Sequence, residues 1–411
     1  MAMVDQLSAL SAWQDHGTKV SRIGLADERA LAAWCCVAVS REIVSRTDSP
    51  GIGRSERILP ALRFPALDVA RFVAALLVVF FHWCFLFNIS DPVVRYKPWL
   101  ELEPYARYGY LGVNLFFLIS GFLIVQSAYS KTPGHFLRAR ISRLYPAYLA
   151  CCVLTYGVIS ITAARAIPTS EFAYNMTMMN GVIDSVRGVA PTYVDGVYWT
   201  LAIEWKFYGL MFLLISAGQL ERVEWFLWLW AFACLAYVFH PAAWLDTYLI
   251  AAWGAYFIAG AAFFLACAAG WNLSRAGLVL TGFGLSVVQA WQFANELGAV
   301  HSVEFRGPVV AAIVTSFFMF FGLLSLRVRF LQRPTARWTV ILGALSYPIY
   351  LLHQQIGAIV IQRYWSINTR YPLLSLGLVA LVALAAAVHF GIERTAWIGL
   401  RRRFAPRPAS R

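Results

Sequence analysis

Four ionisable side chains inside long apolar stretches have the types and spacing to do chemistry. They are Arg71 and His82 in LDVARFVAALLVVFFHW, Glu204 in YWTLAIEWKFY, and His353 in SYPIYLLHQ. Charged groups are costly in hydrocarbon, so those that persist there are functional candidates. On a helix, the eleven steps of about 100° from Arg71 to His82 return to within about 20° of one face, roughly 16 Å further along the axis. One helix would then present a guanidinium near one end and an imidazole deep in the other half. A carboxylate beside an imidazole fixes its tautomer and favours its cation, the arrangement a general base requires, and Glu204 is the candidate carboxylate. Plainer readings compete with this one. Arg71 would snorkel to lipid headgroups and His82 would satisfy a neighbouring helix. Glu204 would pair with Lys206 or join an interfacial belt with Trp199, Trp205 and Tyr208, and His353 would be interfacial too.

A second group is basic. FLRARISRLYPAY places Arg138, Arg140 and Arg143 just ahead of an apolar stretch. Such a cluster holds phosphates well, since a guanidinium contacts two oxygens at once. The alternative is a topology signal alone, and the expected position of the cluster beneath Arg71 is what favours phosphate binding. Arg327, Arg329, Arg333 and Arg337 share the ambiguity with less specific spacing. Cys84 lies about 200° from His82 around the helix and reads as packing rather than as a nucleophile. The seven cysteines include the adjacent pairs Cys35-Cys36 and Cys151-Cys152 but no CxxC spacing, so neither a zinc site nor a disulfide framework is indicated, and no metal is expected. No Walker lysine, HExxH, GxSxG or GxGxxG pattern stands out, which argues against an ATPase, a zinc protease, a serine hydrolase or a Rossmann enzyme.

The elements that must position these groups follow from composition. Of 411 residues, 60% are hydrophobic and only 13% charged, about half the charge a water-facing surface needs. A soluble protein is excluded. The pattern predicts an all-α integral membrane protein with about ten transmembrane helices, at 66–88, 110–128, 145–164, 199–217, 225–240, 247–268, 277–294, 307–326, 339–362 and 373–391. Most Lys and Arg fall on the side that carries the N-terminal tail, residues 131–143 and the C-terminal arginines, which predicts N-in and C-in. On that topology Glu204 lies about 7–8 Å, His82 about 9 Å and His353 about 13 Å below the outer surface, so the three would converge on one outer-leaflet cavity. Gly112 and Gly121 read as close helix packing. Residues 1–61 form a polar extension, either disordered or the product of a misassigned start, and 396–411 a basic cytoplasmic tail. The net charge of +13 matters less in a membrane protein than its placement, and nucleic-acid binding gets little support.

Taken together, LDVARFVAALLVVFFHW, GYLGVNLFFLISGFLI, RARISRLYPAY, YWTLAIEWKFY and LSYPIYLLHQ followed by IER resemble the acyltransferase type 3 membrane proteins. These are bacterial O-acyltransferases that modify cell-surface glycans and some other acceptors. The pieces occur in the family's order over about residues 62–395. The polar N-terminal extension is a departure from the pattern, and no C-terminal esterase-like domain of the kind some members carry is expected. The resemblance implies an acyl-CoA donor, usually acetyl-CoA, presented from the cytoplasm, and a sugar hydroxyl as acceptor, with no permanently bound cofactor. It implies that Arg71, Arg138, Arg140 and Arg143 hold the nucleotide phosphates while the pantetheine arm runs along the first helix to His82. His82, oriented by Glu204, would act as general base, with an acetyl-histidine intermediate as a second route. His353, Trp199 and Tyr350 are the expected acceptor-binding residues. The bilayer of the bacterial inner membrane is the expected setting, and a homo-oligomer stays open. The rival function is a proton-coupled transporter or flippase of a lipid-linked substrate, with Arg71, His82 and Glu204 as a proton relay.

Overall fold

The computed structural model describes residues 64–86, 99, 101–129, 131–326 and 337–396, and every regular element in them is helical. In chain order the helices are α1 (Pro65–Phe81), α2 (Leu111–Ala128), α3 (Pro133–Thr162), α4 (Thr169–Met176), α5 (Asn180–Arg187), α6 (Trp199–Ser216) and α7 (Val223–Phe239). They continue with α8 (Ala243–Leu249), α9 (Gly254–Ala269), α10 (Leu273–His301), α11 (Gly307–Ser325), α12 (Arg337–Tyr364) and α13 (Arg370–Val388). The chain is an all-α, multi-pass membrane protein. Among the described residues, nine helical segments are long and apolar enough to cross a bilayer. They account for nine of the ten expected spans. The remaining one, α6, is an 18-residue helix that carries Glu204 and Lys206, and these two charges keep it less apolar than the nine. The expected extension over 1–61 and the tail beyond Ala396 lie outside the described residues, as do Arg327, Arg329 and Arg333.

Packing sorts the helices into a protein-facing centre and a lipid-facing rim. The most apolar window of the span containing α9 is 83% buried, against 22% for the span containing α13. Helix α9 reads GAYFIAGAAFFLACAA, and its small residues let neighbouring backbones come close where no hydrophobic effect drives association. Gly260 lies against the Leu118 carbonyl of α2, and Gly121 of α2 lies against the Phe257 backbone of α9. A β-carbon at either glycine would collide with main chain. Phe257 also stacks at ring-centroid distances of 4.9 Å on Phe117 and 4.5 Å on Phe207, which ties α2 and α6 to this centre. Around the other side, α12 packs on α1, α3 and α13.

Two prolines mark the docking of α3 on α12. Pro146 and Pro348 both lie inside their helices, where each lacks the N–H that would close a helical hydrogen bond. Tyr347, next to Pro348, donates its hydroxyl to the Leu144 carbonyl at 3.3 Å, so the two proline-bearing segments meet. Helix α1 does not end at Phe81 but continues as a π-turn over His82–Leu86, a local widening that is uncommon and often functional.

Candidate functional site

The three arginines of the basic motif sit in α3 itself, in its first three turns, rather than in a loop before it. One reason is Pro133 at the first helical position, which starts a helix well but removes no needed hydrogen bond. The helical setting separates the three side chains. Arg138 is exposed and donates from Nε to the Gly134 carbonyl at 3.1 Å. Arg140 is buried and donates to Ser127 Oγ at 3.2 Å. Arg140 and Arg143 line a cleft together with Arg71 of α1, and Arg138 does not.

This cleft lies between α1, α2, α3, α6 and α12 and holds about 720 Å³ of space, part of it open to the outside. Its polar wall also holds Glu204, Tyr208, Ser120, Thr200, Tyr347 and Tyr350, and Phe116, Phe117, Leu123 and Leu201 supply apolar wall. The Glu204 carboxylate accepts the Tyr208 hydroxyl at 2.5 Å and Ser120 Oγ at 3.3 Å. It also interacts electrostatically with Arg71 and Arg140, and Asp68, one turn before Arg71, does the same for Arg71. Three guanidiniums in the lining thus outnumber the two carboxylates that act on them, Glu204 in the lining and Asp68 beside Arg71, and the Arg140 guanidinium is also hydrogen-bonded to Tyr208. Positive charge left unbalanced in a low-dielectric wall is costly unless an anion joins it. Lys206 does not pair with Glu204; its ammonium donates to Ser185 Oγ at 2.8 Å.

His82 and His353 form a second cluster. Their rings lie 4.8 Å apart, with His353 Nε2 3.1 Å from His82 Nδ1. His82 Nδ1 is also 2.9 Å from the Val78 carbonyl, and His353 Nδ1 is 2.7 Å from the Tyr350 carbonyl. His82 is 9% exposed and His353 not at all. Trp83, in the π-turn, donates its indole N–H to the His353 carbonyl at 2.8 Å and packs on Gly357 and Gly377. The π-turn therefore grips α12 where the second histidine sits.

Tyr350 borders both clusters, lining the cleft and lying next to His353. Its hydroxyl is 2.9 Å from Thr200 Oγ1 and donates to the Val197 carbonyl at 3.2 Å, and its ring lies 5.6 Å from that of His353. Of the three residues expected to converge, His82 and His353 meet each other, whereas Glu204 meets Tyr208 and Ser120 and lines the cleft with the arginines. Trp199 stacks obliquely on Trp253, 5.2 Å between centroids, at the start of α6.

The loop ahead of α6 contributes a residue that the sequence reading passed over. Asp195, fully buried, accepts the Val197 N–H at 3.2 Å through Oδ1 and the Gln355 N–H at 3.0 Å through Oδ2. Burial pushes its carboxyl up to about 7, against the pull of the two backbone donors and Arg165. An Asp-Gly pair just before YWT was the available signal, since Asp commonly accepts from the backbone two residues on. Tyr208 was also legible, standing one turn after Glu204, whereas nothing in FFLISGF singled out Ser120.

Residues 64–390 match the family profile described as acyltransferase domain. Among curated proteins, the chain is 36% identical over 117 residues to Protein 2 in picA locus of Rhizobium radiobacter, covering 27% of this chain and 53% of that protein. It is 30% identical over 192 residues to the O-acetyltransferase OatA of Staphylococcus aureus, covering 43% of this chain and 28% of that protein. The chain thus spans about half or less of these relatives. No solved structure matches it. Because the profile takes in most of the sequence, helices α1 to α13 with both clusters included, the chain belongs to the acyltransferase type 3 family that its motifs resemble.

Proposed function

We propose that this chain is a membrane O-acyltransferase that moves an acyl group, in the simplest case acetyl, from acyl-CoA to a hydroxyl of a cell-surface or lipid-linked carbohydrate. The observation that carries the reading is the cleft in which Arg71, Arg140 and Arg143 outnumber the carboxylates that act on them, Glu204 and Asp68. That excess of guanidinium suits the phosphates of a coenzyme A donor. Family membership and the O-acetyltransferase among the relatives support the same chemistry. The apolar wall toward Phe116 and Tyr350 suits the pantetheine arm, and Tyr350 borders the histidine pair.

In this reading His82 Nε2 takes the proton of the acceptor hydroxyl as the oxygen attacks the thioester carbonyl. The new C–O bond forms, the C–S bond breaks, and the proton passes to the departing coenzyme A sulfur. With the N-in topology predicted from Lys and Arg placement, the donor enters from the cytoplasm of a bacterial cell and the glycan meets it from the far side of the inner membrane.

The test is transfer of radiolabel from acetyl-CoA, added outside, to surface glycans enclosed in the lumen of inverted membrane vesicles that carry the full chain at matched levels. Label should reach glycan with wild type and be abolished by His82→Ala. Equal transfer by both would remove His82 from the chemistry. Substrate flux that follows the proton gradient, with no acetyl-CoA consumed, would replace the acyltransferase reading with a transporter.

A further inference from the structure

We infer that His353 is a positioning residue that acts through His82, accepting the His82 Nδ1–H so that Nε2 is held as the free base, and that it does not bind the carbohydrate. The inference rests on the acyltransferase reading for its kinetic consequence, but its structural part stands on the geometry alone.

The proton positions follow from the carbonyls. His353 Nδ1 is 2.7 Å from the Tyr350 carbonyl, and an oxygen lone pair at that distance demands an N–H on Nδ1. A neutral His353 then carries its lone pair on Nε2. His82 Nδ1 faces the Val78 carbonyl at 2.9 Å and His353 Nε2 at 3.1 Å. Both of these partners are acceptors, so the His82 proton also sits on Nδ1, shared between them. Nε2 of His82 is left with its lone pair, in the state a general base needs.

The second acceptor matters because Val78 is already engaged. Its carbonyl also takes the backbone N–H of His82, in common with Val79. When His82 gains a proton at Nε2 it becomes a cation in a buried site, where an uncompensated charge is expensive. The in-plane lone pair of His353 then faces the Nδ1–H of that cation. His353 is itself fixed from three directions, by the Tyr350 carbonyl, by Trp83 on its own carbonyl, and by complete burial. With no surface of its own to offer, it has no means of contacting a sugar.

Two variants and a spectrum test this in the full-length protein. Gln places an amide oxygen near the position of His Nε2 and can still accept, whereas Leu fills similar space and cannot. His353→Leu should lower kcat about 10- to 100-fold, a part of the roughly 10²- to 10⁴-fold that the general base itself contributes, with KM for both acetyl-CoA and glycan unchanged. His353→Gln should restore most of that loss. A rise in glycan KM with kcat preserved, or equal losses in Gln and Leu at matched abundance and melting temperature, would overturn the inference. The independent readout is nitrogen-15 NMR of histidine-labelled protein, with the His82 signals found by their loss in His82→Ala. Protonated Nδ1 and bare Nε2 are expected on His82, and the reverse tautomer would overturn the inference even if no acceptor had been found. Absence of acetyl transfer by wild type, with the expected tautomer present, would count against the function and not against the pairing.

Discussion

The Asp195 carboxylate reaches from the loop ahead of α6 into the middle of α12 and accepts the backbone N–H of Gln355, two residues beyond His353. With its other oxygen on Val197, this one side chain joins the turn that leads into Glu204's helix to the helix that carries the second histidine. Gly196 lies flush on Gln354, with the amide about where its β-carbon would be. The relative placement of the two clusters is therefore set partly at Asp195.

Stability should depend on pH through this residue. Burial raises the folded Asp195 carboxyl to about 7 from an ordinary 3.8. Between those values the folded chain holds a proton that the unfolded chain has released, so stability falls as pH rises from about 4 to about 7 and levels off above. Asp195→Asn removes that titration and leaves one backbone N–H facing an amide NH2. Thermal melting of detergent-solubilised protein should show a lower midpoint for the variant at pH 5 and a smaller decline toward pH 7. An equal decline in both proteins would assign the slope to other groups.

The arginines of RARISRLYPAY should separate in kinetics as they separate in space. Arg140 and Arg143 line the cleft and Arg138 is exposed beside Gly134. Replacing Arg140 or Arg143 with Gln should raise KM for acetyl-CoA about tenfold or more, as expected for a lost charged hydrogen bond of about 1.5–3 kcal/mol. Arg138→Gln should change it by less than about threefold, the scale of a screened surface charge. Initial rates against donor concentration decide this. Equal effects at all three positions would return the cluster to a topology signal.

Close packing gives a prediction independent of function. A β-carbon on Gly260 would meet the Leu118 carbonyl, while one on Gly284 of α10 meets nothing within 4 Å. Gly260→Ala should destabilise by about 1–3 kcal/mol, because main chain has to move. Gly284→Ala should be neutral or gain up to about 1 kcal/mol from helix propensity. Melting temperatures of the two variants in one detergent measure the contrast, and a neutral Gly260→Ala would mean that α2 and α9 are not held at this spacing.

Helix content and the location of the apolar spans were legible because about 20 apolar residues in a row have few other fates. Arg71 and His82 were legible as a pair because helical periodicity fixes their shared face. What periodicity cannot give is the rotation of one helix against another. That rotation turned His353 toward His82 and Glu204 toward Tyr208 and the arginines, so the expected imidazole-carboxylate pair became an imidazole-imidazole pair. The π-turn at His82–Leu86 has no sequence signal comparable to a proline or a glycine, yet it is what carries Trp83 to the His353 carbonyl. Asp195 escaped for another reason: its partner Gln355 is 160 positions away, and long-range capping leaves no local pattern.

Glu204 provides the sharpest separation between the sequence expectation and the geometry. If it oriented His82, Glu204→Gln would lower kcat and leave donor KM alone. Its carboxylate instead takes Tyr208 and Ser120 and sits among the guanidiniums. Neutralising it leaves Arg71, Arg140 and Arg143 with less compensating charge inside the fold, which costs stability. It also removes the anion that competes with the donor phosphates for the same cations. Glu204→Gln should therefore melt at a lower temperature than wild type when ligand-free. Coenzyme A at one fixed excess should raise its melting temperature more than it raises that of wild type, because stabilisation by a ligand that binds the folded form grows with the logarithm of its affinity. Donor KM should fall or hold. A collapse of kcat with unaltered melting behaviour would instead place this carboxylate in the chemical step.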